Sequence, residues 1–337
     1  MSGNEPHQDA TGDKSMLGAI TEFLSDPGSY PEKTATPEIR DTHLSRVFLT
    51  DTRVYKLKKP LRYDFLDFTS REARRRNCQT EVAINSELAP EVYLGVVTLA
   101  REEQAGFNLE GRGRPVDYLV KMVRMPDRQN LEHQISENTV DGDHIDRAAA
   151  RLAHFYRTRA DQGPVRASGF EKKIRRYADE LRNLPVAAGN DLPRLEQGLL
   201  ALLQEHRLEV ENRRQVDAHG DLRPEHVYPG PSPVFLDRLE FDASLRLMDP
   251  LEELSFFAME CRRLGHDWIG QRFFDIHQQV TGVHATGNLI ALYTGYRALL
   301  WAVLKARHLE RNDQRKPWDR LAREYLQLGL EALDRAD

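Results

Sequence analysis

The hydrophobic and polar positions divide the chain into a strand-rich first third and a helical remainder. Two short β-type runs at 46–50 and 53–58, separated by two polar residues, predict a hairpin. Two longer apolar runs at 92–99 and 116–125 predict a second hairpin with a long polar loop. Between the hairpins, the charged segment 70–88 predicts a helix whose first residue, a serine, is a suitable N-cap.

After Pro126, apolar positions recur at the three- and four-residue spacing of amphipathic helices. The predicted helices cover 144–159, 170–184, 192–210, 250–264, 268–280, 288–309 and 318–333. A loop-and-strand region at 212–243 interrupts them. The chain therefore predicts an α+β protein with a small β-rich N-lobe at 16–125 and a larger helical C-lobe at 126–337. Residues 1–15 have no apolar periodicity and are predicted to be disordered.

Composition narrows the class of protein without identifying it. The net charge of −5 and the pI near 6.2 give no reason to expect nucleic acid or an anionic membrane as a partner. Two cysteines, Cys78 and Cys261, are too few for a disulfide framework or a zinc site. Residues 1–14 contain no apolar segment of the signal-peptide type. The sequence predicts a soluble, cytoplasmic protein and leaves its oligomeric state open.

The clearest chemical pattern lies in residues 218–226, which read AHGDLRPEH, and in residues 234–237, which read VFLD. Asp221 follows a glycine in a tight turn, and Asp237 ends a short apolar strand. Phosphoryl transfer needs one carboxylate to orient or deprotonate the acceptor hydroxyl and others to hold Mg²⁺ on the nucleotide phosphates. Taken singly, Asp221 is more often a plain turn residue, and Asp237 could be a plain strand-end aspartate. Their combination with a lysine-bearing hairpin upstream favours the catalytic interpretation.

The upstream lysines are Lys56 and Lys58, in the second strand of the first hairpin. Alternation places both side chains on one face of that strand, so periodicity does not choose between them. A strand lysine that faces a cleft can bind nucleotide phosphates, whereas lysines on an edge strand can simply prevent edge-to-edge aggregation. The order Val-x-Lys favours Lys56.

Together these motifs resemble the aminoglycoside phosphotransferase-like branch of the protein-kinase-like fold, in an uncharacterised bacterial subgroup. The resemblance extends from about Thr42 to Leu264 and includes VYKLKKP at 54–60, LAPEVYLG at 88–95 and HGDLRPEH at 219–226. It implies a bilobal protein-kinase-like fold that uses ATP and Mg²⁺. The partner that it implies is a small-molecule hydroxyl acceptor of unknown identity, because this fold serves sugars, small alcohols and other hydroxyl compounds.

The resemblance also implies roles for individual residues. Asp221 would orient or deprotonate the acceptor hydroxyl, and Asp237 would hold Mg²⁺. Lys56 would bind the nucleotide phosphates. Its implied partner on the following helix is Glu81, with Glu87 as the alternative.

Further positions follow from the same resemblance. Met122, Val123 and Met125 would form apolar walls for the adenine ring at the connector between the lobes. His226 stands where the family has an asparagine metal ligand, so it is a candidate metal and phosphate contact, although imidazole suits transition metals better than Mg²⁺. Asp249 would support the catalytic turn from below.

Two departures from the family pattern leave alternatives open. No glycine-rich loop precedes Val47, and His226 replaces the asparagine. A nucleotide-binding sensor without transferase activity is therefore the runner-up, and transfer to a protein or transfer of a nucleotidyl group is a third hypothesis. Arg223 and Arg238 flank the two aspartates and could meet phosphate or be ordinary exposed arginines. Glu240 is equally a metal-site carboxylate or a solvent-facing residue.

Overall fold

The computed structural model describes residues 11–63, 66–104, 106–186, 188–310 and 317–336. Residues 1–10 of the predicted disordered tail lie outside this range, and the first helix, α1 (Thr11–Ser25), begins before its end. The chain forms two compact units. Of the described residues, the first contains those up to Asp127 together with Phe235–Ala243, and the second contains those from Arg128 to Val234 and from Ser244 onward.

The first unit is built on an antiparallel sheet that includes both predicted hairpins. Its strands are β1 (Glu38–Asp41), β2 (Ser45–Leu49), β3 (Arg53–Lys58), β4 (Arg62–Tyr63), β5 (Leu66–Asp67), β6 (Tyr93–Glu102), β7 (Gly106–Leu109) and β8 (Arg114–Val123). The main sheet has the order β1-β2-β3-β8-β6-β7, and β4 pairs with β5. The sequence predicts a loop at the position of strand β7. This segment is extended in the structure because it pairs with the last residues of β6.

The two faces of this sheet have different chemistry. Tyr55 and Leu57 are fully buried on one face, in an apolar cluster with side chains of α1. Alternation places Lys56 and Lys58 on the other face, which helix α2 (Arg71–Asn85) covers. Ser70 caps α2 as predicted, since its Oγ accepts the backbone N–H of Ala73 at 3.1 Å.

The second unit is mostly helical. Its helices are α3 (Leu131–Ser136), α4 (Gly142–Arg157), α5 (Ala167–Asn183), α6 (Asp191–Glu205), α7 (Arg207–Glu211), α8 (Pro250–Arg263), α9 (Asp267–Thr281), α10 (Gly287–Glu310) and α11 (Trp318–Leu333). The helix predicted over 192–210 divides at His206, whose backbone leaves the helical region (φ −100°, ψ 22°). Helix α10 packs against α5, α6, α8 and α11. Among the described helices it alone is long and apolar enough to cross a membrane, but 67% of its apolar window is buried in this unit, as in a core helix.

Short strands shape the irregular region between α7 and α8. They are β9 (Val216–Asp217), β10 (Val227–Tyr228), β11 (Val234–Phe235) and β12 (Leu247–Met248). Strands β9 and β12 pair antiparallel, so the chain that leaves β9 at Ala218 starts from a fixed position, and Ala218 adds a backbone hydrogen bond to Arg246 at 2.9 Å. The sequence motif 218–226 therefore begins directly after an anchored strand.

Candidate functional site

An ionic cluster lies on the α2-covered face of the first unit. The Lys56 ammonium contacts Glu81 Oε1 at 2.8 Å and Asp237 Oδ1 at 3.0 Å. Glu81 is 1% exposed and Asp237 is 47% exposed at the side chain. Three sequence-predicted residues from β3, α2 and the segment 235–243 are thus brought together, with one carboxylate enclosed and the other open to solvent.

Electrostatics keep this cluster ionised. Burial alone would lower the pKa of Lys56, but the carboxylates of Asp237 and Glu81 outweigh it and raise the pKa well above its ordinary value. Burial alone would raise the pKa of Glu81, but the ammonium groups of Lys56 and Lys58 reverse that effect and lower it. The two directions agree, and the cluster is a set of charged partners at neutral pH.

Lys58 belongs to the same network but has a different position. Its side chain is 0% exposed and contacts both Glu81 and Glu240, the latter at 2.5 Å. Glu240 is therefore a buried ion-pair partner rather than a solvent-facing residue. Lys56 is 15% exposed and contacts the solvent-exposed carboxylate of Asp237, so its ammonium lies at the solvent side of the cluster.

Asn85 fastens the segment that carries Asp237 to helix α2. Its Oδ1 accepts the Arg238 N–H at 2.8 Å, and its Nδ2 donates to the Arg238 carbonyl at 3.1 Å. Asp237 itself has a left-handed backbone (φ +58°), which is unfavourable for an aspartate unless neighbouring bonds hold it. The Tyr93 hydroxyl also accepts the Asp237 N–H at 3.2 Å.

These bonds explain one difference between sequence and structure. The sequence places residues 235–243 within the helical C-lobe, whereas the structure groups them with the first unit. Their partners Lys56, Asn85 and Tyr93 are all more than a hundred positions upstream. Arg238 is likewise not an exposed phosphate ligand: it is 0% exposed and binds Glu87 at 3.3 Å, so Glu87 is a partner of Arg238.

The predicted adenine-binding residues lie at the end of β8. Met122 is opposite Val54 in the sheet register and therefore shares the face of Lys56. Val123 is the next residue and lies on the opposite face by alternation, with its N–H donated to the Val92 carbonyl at 2.8 Å. Met125 is partly buried just beyond the strand. Register thus brings Met122, but not Val123, to the face of the ionic cluster.

In the second unit, a buried glutamate shapes the turn before Asp221. Gly220 has φ +91°, a conformation that glycine adopts readily. Glu253 of α8 accepts the N–H of His219 at 3.0 Å and that of Gly220 at 2.5 Å, and it also accepts the Tyr156 hydroxyl at 2.6 Å. Burial raises the pKa of Glu253, and these three donors counteract the rise. The turn is therefore fixed through its backbone.

Sequence reasoning missed Glu253 and placed this support on Asp249. Asp249 instead caps α8 through the Leu251 N–H at 3.1 Å and binds Arg213 at 2.6 Å and Tyr293 at 3.0 Å. Glu253 is one helical turn further along, where its side chain reaches the turn before Asp221. The sequence feature that could have indicated Glu253 is its charge within the apolar pattern of α8.

The Asp221 side chain lies in a small polar network. Arg223 Nη2 contacts Asp221 Oδ2 at 3.0 Å and His226 Nε2 at 3.3 Å, and His226 Nδ1 contacts the Asp221 carbonyl at 2.8 Å. The Arg223 guanidinium also lies over the Trp301 ring, 5.4 Å from its centroid. Asp221, Arg223 and His226 are thus brought together within one loop.

Within the described ranges, no group of three or more His, Cys, Asp or Glu residues is arranged to hold a metal ion by itself. That arrangement is not required of Mg²⁺ on a nucleotide, which takes one or two carboxylates and completes its shell with phosphate and water oxygens. The half-exposed oxygen-donor carboxylate of Asp237 fits such an ion. The two ring nitrogens of His226 already have partners in their own loop.

Comparisons with known proteins identify the fold. No protein-family model matches the chain. The chain is 30% identical over 281 residues to Rv2004c, an uncharacterised protein of Mycobacterium tuberculosis, and the match covers 79% of this chain and 54% of Rv2004c. It therefore spans about half the length of the curated relatives it matches.

Two solved structures are similar to this chain over nearly the whole length of both proteins. Choline kinase LicA from Streptococcus pneumoniae has a TM-score of 0.59 at 14% identity, with 95% of this chain and 99% of LicA covered. The spectinomycin phosphotransferase APH(9)-Ia, solved with ADP and spectinomycin, has a TM-score of 0.53 at 10% identity, with 94% and 98% covered. The chain thus has the α+β kinase-like fold of small-molecule phosphotransferases, and the resemblance seen in the sequence is confirmed at the level of fold.

Proposed function

We propose that this protein is an ATP- and Mg²⁺-dependent phosphotransferase that acts on a hydroxyl group of a small molecule. The observation that carries the proposal is the cluster of Lys56, Glu81 and Asp237. It combines an ammonium group held by a buried carboxylate with a second carboxylate that faces solvent. In a kinase-like fold, these are the groups that bind nucleotide phosphates and their metal ion.

The residues of the first unit would bind the nucleotide. Lys56 would contact phosphate oxygens, with Glu81 holding its side chain in place. Asp237 would hold Mg²⁺, which supplies charge neutralisation on the phosphates when bound. Met122 would contact the adenine ring. A backbone contact to the edge of the adenine ring at the end of β8 would use groups other than the Val123 N–H, which already pairs with the Val92 carbonyl.

The second unit would act on the acceptor. Asp221 would orient the hydroxyl and accept its proton as the acceptor oxygen bonds to the γ-phosphorus. The bond between that phosphorus and the bridging oxygen breaks, and ADP leaves with the electron pair. Asp221 would then return the proton to solvent. The turn fixed by Glu253 would keep its carboxylate oriented without rearrangement during the reaction.

A thermal-shift titration tests the proposal first. ATP is titrated with and without Mg²⁺ against the wild type and Asp237→Ala, because a ligand that binds only the folded state raises its apparent stability. We expect a Mg²⁺-dependent rise that is lost in the variant. Transfer of labelled γ-phosphate to a panel of polyols, amino alcohols and amino sugars then tests turnover. Absence of a rise with any nucleotide would contradict the proposal.

The runner-up is a nucleotide-binding protein without transferase activity. The observation that favours it is the ion pair between Asp221 and Arg223 at 3.0 Å, since the guanidinium occupies a carboxylate oxygen that would otherwise bind the acceptor hydroxyl. This alternative expects the thermal shift but no transfer to any acceptor. For either function we propose a cytoplasmic setting, where ATP is available.

A further inference from the structure

His226 is a sequence-predicted site residue whose surroundings conflict with its expected role. The family pattern gives this position to a metal ligand. In this chain both imidazole nitrogens are engaged inside the loop, by the Asp221 carbonyl at 2.8 Å and by Arg223 Nη2 at 3.3 Å. A metal ion would have to displace a guanidinium group from Nε2 and then lie beside its positive charge.

The partners of the two ring nitrogens select one tautomer of the imidazole. A carbonyl oxygen only accepts, so Nδ1 carries the proton that it donates to Asp221. A guanidinium only donates, so Nε2 carries the lone pair that accepts from Arg223. These hydrogen bonds therefore select the tautomer with the proton on Nδ1, and the side chain of His226 is 12% exposed.

The same contacts connect His226 to the proposed catalytic carboxylate. Arg223 Nη2 lies between Asp221 Oδ2 at 3.0 Å and His226 Nε2 at 3.3 Å. His226 thus contacts the Asp221 carbonyl directly, lies 3.8 Å from the Asp221 carboxylate at Nδ1, and is connected to that carboxylate through Arg223. Rotation of the Asp221 side chain would have to break the guanidinium bridge.

We infer that His226 is a positioning residue of the Asp221 turn, and that it does not ligate the metal ion of the nucleotide complex. This inference refines the proposed phosphotransferase function and rests on it. It predicts an enzyme in which the asparagine of the family pattern has been exchanged for a histidine that orients the catalytic aspartate through Arg223.

The first test is the tautomer of His226, which does not depend on catalysis. Two-bond ¹⁵N–¹H spectra of ¹⁵N-histidine-labelled protein are recorded, with His226→Asn used to identify the signal. We expect the Nδ1–H tautomer, unchanged when Mg²⁺ or Mn²⁺ is added with ADP. An Nε2–H tautomer, or an Nε2 signal that disappears specifically with Mn²⁺ and ADP, would overturn the inference.

The second test examines the metal directly. Pulsed electron paramagnetic resonance of Mn²⁺ and ADP bound to the ¹⁵N-histidine protein detects any ¹⁵N nucleus that ligates the ion. We expect no such coupling. A coupling present in the wild type and absent in His226→Asn would overturn the inference. If the protein does not bind Mn²⁺ with ADP at all, the proposed function fails, and the tautomer measurement still decides the role of His226.

Kinetics separate positioning from ligation. We expect His226→Asn to lower kcat by roughly 10- to 100-fold, the effect of a misoriented catalytic group, while the Mg²⁺ concentration at half-maximal rate changes less than about twofold. An oxygen-donor asparagine at a true metal position would instead lower that Mg²⁺ concentration and reduce any preference for Mn²⁺. The exposed His284→Asn is the matched control and should leave both quantities unchanged.

Discussion

The two loops that carry Asp237 and Asp221 are held by different side chains that do the same work. Next to Asp237, the neutral carboxamide of Asn85 binds one N–H and one carbonyl of Arg238. Before Asp221, the carboxylate of Glu253 binds two N–H groups. In each case a buried helix residue fixes the backbone beside the aspartate and leaves the aspartate carboxylate for other partners.

The difference reflects the charges that surround each loop. The first loop borders two lysines, Glu81 and Glu240, and a further buried charge there would need another partner. A carboxamide supplies both a donor and an acceptor without that requirement. In the second loop, three donors converge on Glu253, which a carboxylate satisfies and an amide cannot. The residue type at each anchor therefore follows from the donors and acceptors that the loop presents.

The largest expected effect is at the centre of the first unit. Glu81→Gln leaves the ammonium groups of Lys56 and Lys58 without their shared buried carboxylate, and breaking a buried ion pair costs about 3–5 kcal/mol. The free energy of unfolding, measured with urea, should fall by that amount. Glu72→Gln on the exposed side of the same helix is the control and should change it by less than about 0.5 kcal/mol. Equal effects of the two variants would show that the ion pairs of Glu81 with Lys56 and Lys58 do not stabilise the first unit.

The second unit should respond to acid through His277. Burial lowers the pKa of this histidine to about 4 from its ordinary value of 6.5. The unfolded chain therefore binds the proton first, and stability is lost as the pH falls from about 6.5 to about 4, by about 3 kcal/mol in total. His277→Gln should remove this component from the pH dependence of the unfolding free energy. If the unfolding free energies of the variant and the wild type fall in parallel as the pH is lowered, His277 is not the source of the acid sensitivity.

Glu253→Gln tests the charged anchor. Glutamine provides one acceptor where three donors meet, so a buried N–H of the turn loses its partner at a cost of about 1–3 kcal/mol. We also expect kcat to fall, because Asp221 follows the turn. Tyr156→Phe removes only one of the three bonds and leaves the backbone contacts, and it should have the smaller effect on kcat. The reverse order would mean that the turn does not depend on Glu253.

Asn85→Ala tests the neutral anchor and should have the smallest effect on stability, about 1–2 kcal/mol for the lost hydrogen bonds. Its distinctive consequence is a higher Mg²⁺ concentration at the midpoint of nucleotide binding, because Asp237 loses the support for its left-handed backbone. Asn77→Ala removes another buried asparagine of the same helix, whose Oδ1 has no hydrogen-bond partner within the described part of the chain. If both variants move the midpoint equally, the loss of a buried amide, rather than the anchor, is responsible.

The sequence predicted most of the fold because its elements have clear periodicity. Both hairpins and the major helices of the second unit lie within a few residues of their predicted bounds. The short helix α3 and the two-residue strands had too few positions to show a pattern. The pairing of β3 with β8 places Met122, but not Val123, on the face of Lys56. This register depends on two strands that are far apart in the sequence, so neither strand alone predicts it.

The candidate site was only partly predictable for a related reason. Asp221 and Asp237 are recognisable because glycine and an apolar strand precede them. Glu81 was preferred over Glu87 only through the family resemblance. Asn85 and Glu253 look like ordinary polar helix residues, and their roles depend on backbone groups that are more than thirty positions away for Glu253 and more than a hundred for Asn85.

We propose a division of labour, in which the first unit would bind the metal-nucleotide complex and the second would orient the acceptor. Equilibrium binding of a fluorescent ATP analogue, with and without Mg²⁺, tests it most directly in the wild type, Asp237→Ala and Asp221→Asn. We expect Asp237→Ala to lose the Mg²⁺-dependent part of the affinity and Asp221→Asn to keep it, while turnover of Asp221→Asn falls by roughly 100- to 10,000-fold. Mg²⁺-dependent binding that survives in Asp237→Ala, or that disappears in Asp221→Asn, would contradict the account.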